Sequence, residues 1–231
     1  MSYVFAPSAP VAVPVAGRPE QFPVHRIYCV GRNYEEHAKE MGFTGREPPF
    51  FFLKPADAAL VVPEGQTGSL PYPSLTKNFH HEIELVVAIG KGGKNIAAAD
   101  AFDHVFGYAI GLDMTRRDLQ NEMKKQGRPW SIGKGFDHSA PIGPILPKEQ
   151  AGDIENAEIW LKVNGADRQR STVAKLIWNI AETIEHLSAA WELQPGDLIY
   201  SGTPEGVAAV VAGDVLEGGV AGLGTLKVKV V

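Results

Sequence analysis

Apolar residues along this chain fall into short runs, each bounded by glycine, proline or polar turn residues. Runs of this length are typical of β-strands, because helices need longer stretches with a 3.6-residue period. The strands predicted in this way cover residues 26–30, 50–53, 83–89, 106–112, 159–163, 198–200 and 226–231. The pattern therefore predicts a strand-rich fold.

Three segments carry helical signals instead. Residues 34–41 form one such segment, which Gly42 would end. Residues 116–126 follow Thr115, which can cap a helix, and precede a glycine. In residues 173–191, apolar side chains recur with the helical period. Many strands, few helices and no regular strand–helix alternation predict an α+β fold that is mainly β.

Composition and charge narrow the class of protein. The 231 residues carry a net charge of −5, which disfavours non-specific nucleic-acid binding and docking to anionic membranes. No apolar run approaches the roughly 20 residues of a membrane helix. The only cysteine, Cys29, excludes an intrachain disulfide and suits a reducing compartment. We therefore expect a cytoplasmic protein.

The N-terminal stretch differs from the rest of the chain. Residues 1–21 lack the basic start of an export signal, and four prolines interrupt any apolar helix there. We therefore expect an extended arm over residues 1–21. Residues 22–231 contain no repeat, low-complexity tract or linker, so a single domain is expected over that range.

Two carboxylates open the most apolar predicted strand. Glu82 and Glu84 are two residues apart along it, so their side chains point to the same face. Because carboxylates this close repel each other, they need a proton or a cation, and oxygen ligands favour Mg²⁺, Mn²⁺ or Ca²⁺. The solvent face of an edge strand would give the same pattern. A zinc site that uses His80 is less favoured, since no Cys/His pair has zinc spacing.

Another acid, Asp113, ends the apolar run 106–112. By itself Asp113 is typical of a turn, so its neighbours decide how it is interpreted. Arg116 and Arg117 lie in the first turn of the second predicted helix, where cations are mildly unfavourable. They indicate an anion to bind, although solvated arginines would give the same pattern. Gln120 lies two helical turns after Asp113.

Further polar residues suit chemistry or ligand binding. His37 and Glu40 are three residues apart on the first predicted helix, as in a general base supported by a carboxylate. A charged surface helix would have the same spacing. The glycines around Lys134 and Thr203 would let a ligand approach the backbone, or would form ordinary loops. Gly133-Lys134 lacks a P-loop pattern, so nucleotide binding is rejected.

Together these segments resemble the fumarylacetoacetate hydrolase family. The matching motifs are Gly31-Arg32-Asn33-Tyr34 with His37, Phe52-Leu53-Lys54-Pro55, His81-Glu82-Ile83-Glu84-Leu85, Gly111-Leu112-Asp113-Met114-Thr115-Arg116-Arg117-Asp118, Lys134-Gly135-Phe136-Asp137 and Gly202-Thr203-Pro204-Glu205-Gly206-Val207. The resemblance covers the chain from about residue 24 to its C-terminus. Within the family, the chain looks most like the acylpyruvate hydrolase branch.

The resemblance implies a fold, a metal and a set of roles. The fold would be a mixed β-sandwich roll in a homodimer, with Mg²⁺ or Mn²⁺ bound by Glu82, Glu84 and Asp113. His37, supported by Glu40, would activate a water molecule. The matched positions that would contact the substrate are Lys134, Gln120, Arg117 and Thr203, with Lys134 and Gln120 also donating to a developing oxyanion.

These roles imply cleavage of the carbon–carbon bond of an acylpyruvate, a small 2-oxo acid. The expected substrate is fumarylpyruvate, which would give fumarate and pyruvate in aromatic degradation by the gentisate route. Its far carboxylate needs a cation of its own, for which Arg32 and Arg116 are the candidates. The same pocket could instead decarboxylate oxaloacetate or isomerise a hydroxy-dienoate. A non-catalytic β-roll with a structural metal is the remaining alternative.

Overall fold

The computed structural model describes residues 2–36 and 46–231. Its strands are β1 (Ala12–Pro14), β2 (Gln21–Pro23), β3 (Ile27–Gly31), β4 (Phe50–Lys54), β5 (Ala59–Val61), β6 (Thr67–Leu70), β7 (Phe79–His80), β8 (Ile83–Ile89), β9 (Val105–Leu112), β10 (Thr115–Arg116), β11 (Ala140–Ile142), β12 (Leu146–Pro147), β13 (Glu158–Val163), β14 (Ala166–Thr172), β15 (Leu198–Tyr200), β16 (Ala209–Val210), β17 (Val215–Val220) and β18 (Gly224–Val230). The α-helices of the described residues are α1 (Arg117–Lys125), α2 (Ser131–Lys134) and α3 (Ile180–Ala190). Short 3-10 turns cover Ala56–Ala58, Ala98–His104, Lys148–Gln150, Ile154–Asn156 and Val173–Lys175.

An eight-stranded mixed sheet forms the centre of the fold. Its order is β4-β3-β15-β8-β9-β11-β5, with β12 paired to β9. A second sheet has the order β14-β13-β17-β18-β6, and its apolar face shares one core with the first. Two smaller sheets, β10-β7-β16 and β1-β2, complete the architecture. The predicted fold class, α+β and mainly β, is confirmed.

Strand β8 is buried along its whole length because both faces of the large sheet are covered. Leu85 and Val87 point into the core shared with the second sheet. Val86 and Ala88 point the other way, into a smaller cluster that includes Val13 of β1. This arrangement explains why β8 has a continuous apolar run, since alternation is lost when neither face meets water.

The N-terminal residues contribute to that smaller cluster. β1 pairs antiparallel with β2, and Val13 and Val15 are buried. The division into an arm and a domain at residue 21 stays a prediction. Within the described part of the chain, every helix is too short or too polar to cross a membrane.

The third predicted helix was wrong over its first residues. A helix was predicted from residue 173, but α3 begins at Ile180. Asn179 caps it, because its side chain accepts a hydrogen bond from the Glu182 amide while the Glu182 carboxylate accepts one from the Asn179 amide. Immediately before this cap, Asn33 accepts hydrogen bonds from the amides of Ile177 and Trp178, which holds these two residues outside the helix.

Of the other two predicted helices, one is present in the structure and one lies mostly outside the described residues. α1 begins at Arg117, close to the predicted start, but the proposed cap was wrong. Thr115 belongs to β10 and its hydroxyl donates to the carbonyl of Asp113, so it does not cap the helix. The helix predicted over residues 34–41 lies mostly outside the described residues.

Candidate metal and active site

Three acidic residues meet where β8 begins and β9 ends. Glu82 directly precedes β8, Glu84 is its second residue, and Asp113 directly follows β9. Because the two strands pair antiparallel, with Ile83 opposite Leu112, these positions are neighbours, and one oxygen from each acid lies within 4.8 Å of the others. All three side chains are buried in the interior of the large sheet, which excludes the edge-strand interpretation.

The three carboxylates are electrostatically costly as a group. Burial, together with the charges of Asp113 and Glu82, raises the pKa of Glu84 well above its usual value, although a hydrogen bond from the Gly202 amide partly offsets the shift. A divalent cation would remove this cost. Carboxylate oxygens are ligands that Mg²⁺ and Mn²⁺ prefer, so this buried all-oxygen cluster, with ligand atoms within 4.8 Å of one another, suits a divalent ion of this kind.

A tight loop brings a backbone donor to Glu84. Gly202 follows β15, has a φ of 105°, and donates its amide to Glu84 Oε2 at 2.8 Å. A Cβ at this position would lie 2.7 Å from the Cβ of Asn33. Glycine is therefore required here both by its backbone conformation and by the space available.

Lys134 supplies a cation among the acids. Its Nζ donates to Glu82 Oε2 at 2.8 Å and to Asp113 Oδ2 at 2.6 Å. Burial disfavours its charge, but Asp113 and Glu82 outweigh burial and raise the pKa of Lys134, so it stays protonated. Gly133 lets α2 approach α1 closely, since a Cβ there would lie 2.9 Å from the backbone nitrogen of Gln120.

Helix α1 contributes two more polar groups to the cluster. The Arg117 guanidinium pairs with Glu82 and also donates to Gln120 Oε1 at 2.5 Å. The neighbouring Arg116 has different surroundings. The Arg116 guanidinium instead lies 4.3 Å from the ring centre of Phe136.

These groups line one cleft of about 340 Å³. Its walls contain every predicted site residue that the structure describes except Arg116: Arg32, Glu82, Glu84, Asp113, Arg117, Gln120, Lys134 and Thr203. A wider recess of about 1030 Å³ shares Arg32, Phe52, Trp130 and Lys134 with this cleft. We call this recess, which Phe50, Phe51, Leu53 and Arg128 also line, the aromatic vestibule. His37 and Glu40 lie outside the described residues.

Sequence reasoning assigned no role to Lys54, although Lys54 lies in a matched motif. Its side chain is completely buried, with Nζ 2.8 Å from Asp113 Oδ1. The same Nζ donates to the carbonyls of Met114 and Lys134, so one ammonium group holds an acid and the end of α2 together. The available signal was a lysine that ends an apolar run just before a proline.

The Lys54→Met variant is expected to lower the free energy of unfolding by about 3 kcal/mol, because removing one partner leaves a buried charge uncompensated. Urea unfolding in chelator measures the effect. The matched control is Lys227→Met, whose ammonium is 45% exposed and pairs with Glu217 at 3.5 Å. The control should change stability by less than about 1 kcal/mol, and equal losses in the two variants would contradict the buried-pair account.

Comparisons with known proteins place this fold and site in one family. The model of the fumarylacetoacetate (FAA) hydrolase C-terminal family matches residues 26–231. The chain therefore belongs to the fumarylacetoacetate hydrolase family, as its motifs indicated.

Several relatives are similar over nearly their whole length. The crystal structure of fumarylpyruvate hydrolase from Pseudomonas aeruginosa, in complex with Mn²⁺ and pyruvate, is 58% identical with a TM-score of 0.98, and the match covers 100% of this chain and 99% of that one. The mitochondrial oxaloacetate tautomerase FAHD1 of Bos taurus is 43% identical, covering 88% of this chain and 90% of the relative. The mitochondrial oxaloacetate decarboxylase of Dictyostelium discoideum is 41% identical, covering 87% and 90%.

Proposed function

We propose that this chain is a metal-dependent hydrolase that cleaves the carbon–carbon bond of an acylpyruvate, with fumarylpyruvate giving fumarate and pyruvate in aromatic degradation. The observation that carries the proposal is the buried cluster of Glu82, Glu84 and Asp113, which shares one cleft with Lys134 and Arg117. The similarity to a fumarylpyruvate hydrolase that was crystallised with Mn²⁺ and pyruvate supports it.

Glu82, Glu84 and Asp113 would hold the metal ion, Mg²⁺ or Mn²⁺. When bound, the ion supplies Lewis-acid stabilisation of negative charge on the 2-oxo acid. Lys134 is placed to bind the oxo-acid end of the substrate, since its ammonium faces the cleft beside two of these acids. Gln120 has its amide NH₂ group as a further donor, because its Oε1 is occupied by Arg117.

Water activation falls to His37 in this proposal. His37 takes a proton from the water that attacks the distal carbonyl, and Glu40 orients the imidazole. Cleavage of the carbon–carbon bond then releases the acyl group as a carboxylic acid. The departing pyruvate leaves as its enolate, which takes up a proton. The net reaction consumes one water molecule.

The aromatic vestibule is the proposed location of the acyl group. Phe52 and Trp130, whose ring centres lie 5.8 Å apart, provide flat walls for an unsaturated chain. Arg32 borders both the cleft and the vestibule, so it is placed to bind a far carboxylate. Arg116 is not, because its guanidinium donates to the carbonyl of Ile132 and it lines neither space.

The Arg32→Ala variant is expected to lose selectivity for fumarylpyruvate over acetylpyruvate. A charge-assisted contact contributes about 1.5–3 kcal/mol, so the ratio of the two kcat/KM values should fall about 10- to 150-fold. Arg116→Ala is the matched control and should leave the ratio unchanged. A parent enzyme without any preference for fumarylpyruvate would contradict the substrate assignment.

A second candidate function is decarboxylation or tautomerisation of oxaloacetate, which the names of two relatives favour. Neither reaction needs an activated water. Assays of fumarylpyruvate, acetylpyruvate and oxaloacetate side by side, with Mn²⁺ and with chelator, test the two candidates. The proposed hydrolase is refuted if oxaloacetate is the only substrate turned over, or if full activity survives dialysis against chelator.

Three further expectations belong to this proposal. We propose that the enzyme works as a homodimer in the cytoplasm. We also propose that residues 22–231 act as one catalytic domain behind an N-terminal arm of residues 1–21.

A further inference from the structure

Gln169 connects the two sheets next to the cleft. It lies on β14, its side chain is buried, and all of its polar valences are used. Its Oε1 accepts the amide of Ile83 at 3.1 Å and lies 2.9 Å from Nδ1 of His81. Its Nε2 donates to the carbonyl of Pro204 and to Oγ1 of Thr203, each at 2.8 Å.

Two of these partners fix the orientation of the Gln169 amide. The Ile83 amide can only donate and the Pro204 carbonyl can only accept, so exchanging the oxygen and nitrogen of Gln169 would leave both unpaired. Oε1 therefore faces Ile83 and Nε2 faces Pro204. It follows that Thr203 Oγ1 is an acceptor in its contact with Gln169, and that His81 carries a proton on Nδ1.

The direction of this bond decides what Thr203 can offer a ligand. A hydroxyl has one proton to donate, and accepting from Gln169 leaves that proton available. Among the described residues, no protein acceptor is recorded for it, and Thr203 lines the cleft beside Glu84 and Lys134. The proton is therefore available to an acceptor in the cleft.

We infer that Gln169 is a positioning residue that holds Thr203 as a hydrogen-bond donor to the carboxylate of a bound 2-oxo acid. The inference rests on the proposed function, and Thr203 is one of the positions that the family resemblance assigns to the substrate. Gln169 itself does not line the cleft. It acts by donating to the hydroxyl oxygen, so the hydroxyl proton is not used in a bond to Gln169.

A double-mutant cycle on pyruvate binding tests this inference. Calorimetry in Mn²⁺ compares the parent with Gln169→Leu, Thr203→Val and the double variant. Loss of the hydroxyl should weaken pyruvate binding about tenfold, and loss of the amide about fivefold. If Gln169 acts through Thr203, the double variant should be weakened about tenfold, whereas independent residues would give about fiftyfold.

Further variants separate positioning from general damage. Ser171→Ala, on the same buried face of β14, is the matched control and should bind pyruvate like the parent. Thr203→Ser should recover the pyruvate affinity that Thr203→Val loses, since serine keeps the hydroxyl. If Gln169→Leu does not fold, Gln169→Met, which keeps the length of the side chain, takes its place in the cycle.

The outcomes distinguish this inference from the proposed function. Additive losses in a parent that binds pyruvate overturn the role of Gln169 and leave the proposed function standing. A parent that neither binds pyruvate nor cleaves an acylpyruvate refutes the proposed function, and the inference fails with it. Non-additive losses together with rescue by Thr203→Ser support the role of Gln169.

Discussion

The Glu84→Gln variant is expected to lose Mn²⁺ binding, and with it all measurable acylpyruvate hydrolysis. Glutamine keeps an oxygen that can accept the Gly202 amide, so the loop after β15 stays in place. The change removes one of the three carboxylates proposed to bind the metal, and a neutral amide is a poorer ligand than a carboxylate for a hard divalent cation. Calorimetry with Mn²⁺ and the hydrolysis assay measure the two effects.

The stability of the metal-free protein provides a second measurement on the same variant. Because burial and neighbouring acids raise the pKa of Glu84, the folded parent binds a proton that the unfolded chain releases near its ordinary pKa. The contribution of Glu84 is therefore favourable at low pH and is lost as pH rises through the raised value. Glu84→Gln should remove this dependence and stabilise the chelated protein at neutral pH.

A matched control excludes a general effect of losing a carboxylate. Glu217 on β17 is 44% exposed, so Glu217→Gln should retain Mn²⁺ binding, activity and the parental pH dependence of stability. Parental Mn²⁺ affinity in Glu84→Gln would show that Glu84 is not a ligand. Any metal ion would then have to be held without Glu84.

The His37→Ala variant should reduce acylpyruvate hydrolysis by about 10²–10⁴, the usual contribution of a positioned general base. The prediction rests on the spacing of His37 and Glu40 in the sequence. Mn²⁺ affinity should be unchanged, because His37 is not assigned as a ligand. Any oxaloacetate decarboxylation should be spared, since that reaction consumes no water. The rates with both substrates and the Mn²⁺ affinity check these expectations.

The control for His37→Ala is a substitution of another histidine by a residue that can adopt the backbone conformation at that position. His138 is exposed with a φ of 61°, a conformation that asparagine adopts more readily than most residues. His138→Asn should therefore leave both activities intact. Equal rates for the parent and His37→Ala would identify His37 as a surface residue without a part in water activation.

Strand periodicity predicted that Glu82 and Glu84 share a face, because that information is local. Asp113 was selected by the resemblance to the family, since its position alone is typical of a turn, and the structure brings the three acids together. Lys54 and Gln169 were beyond this reasoning. Their importance depends on partners distant in sequence, such as Asp113 for Lys54 and Thr203 for Gln169.

The error in the predicted start of the third helix also arises from contacts between residues distant in sequence. Apolar periodicity extended the prediction back to residue 173, whereas the reciprocal bonds of Asn179 and Glu182 start α3 later. Asparagine and glutamate at this spacing are a recognisable cap, so this part could have been predicted. The contacts of Asn33 with the preceding segment could not, because they join residues 145 positions apart.

The buried cations Lys54, Lys134 and Arg117 pair with two acids, Glu82 and Asp113, and equal in number the three acids of the cluster when Glu84 is included. With all three acids ionised the described cluster is neutral, so a divalent ion that displaces the proton of Glu84 leaves a buried excess of positive charge. The carboxylate at the oxo-acid end of the substrate offsets part of that excess. Metal and substrate should therefore bind cooperatively, each raising the affinity of the other by the same factor. An enzyme of this kind would hold its metal loosely between turnovers and tightly during them.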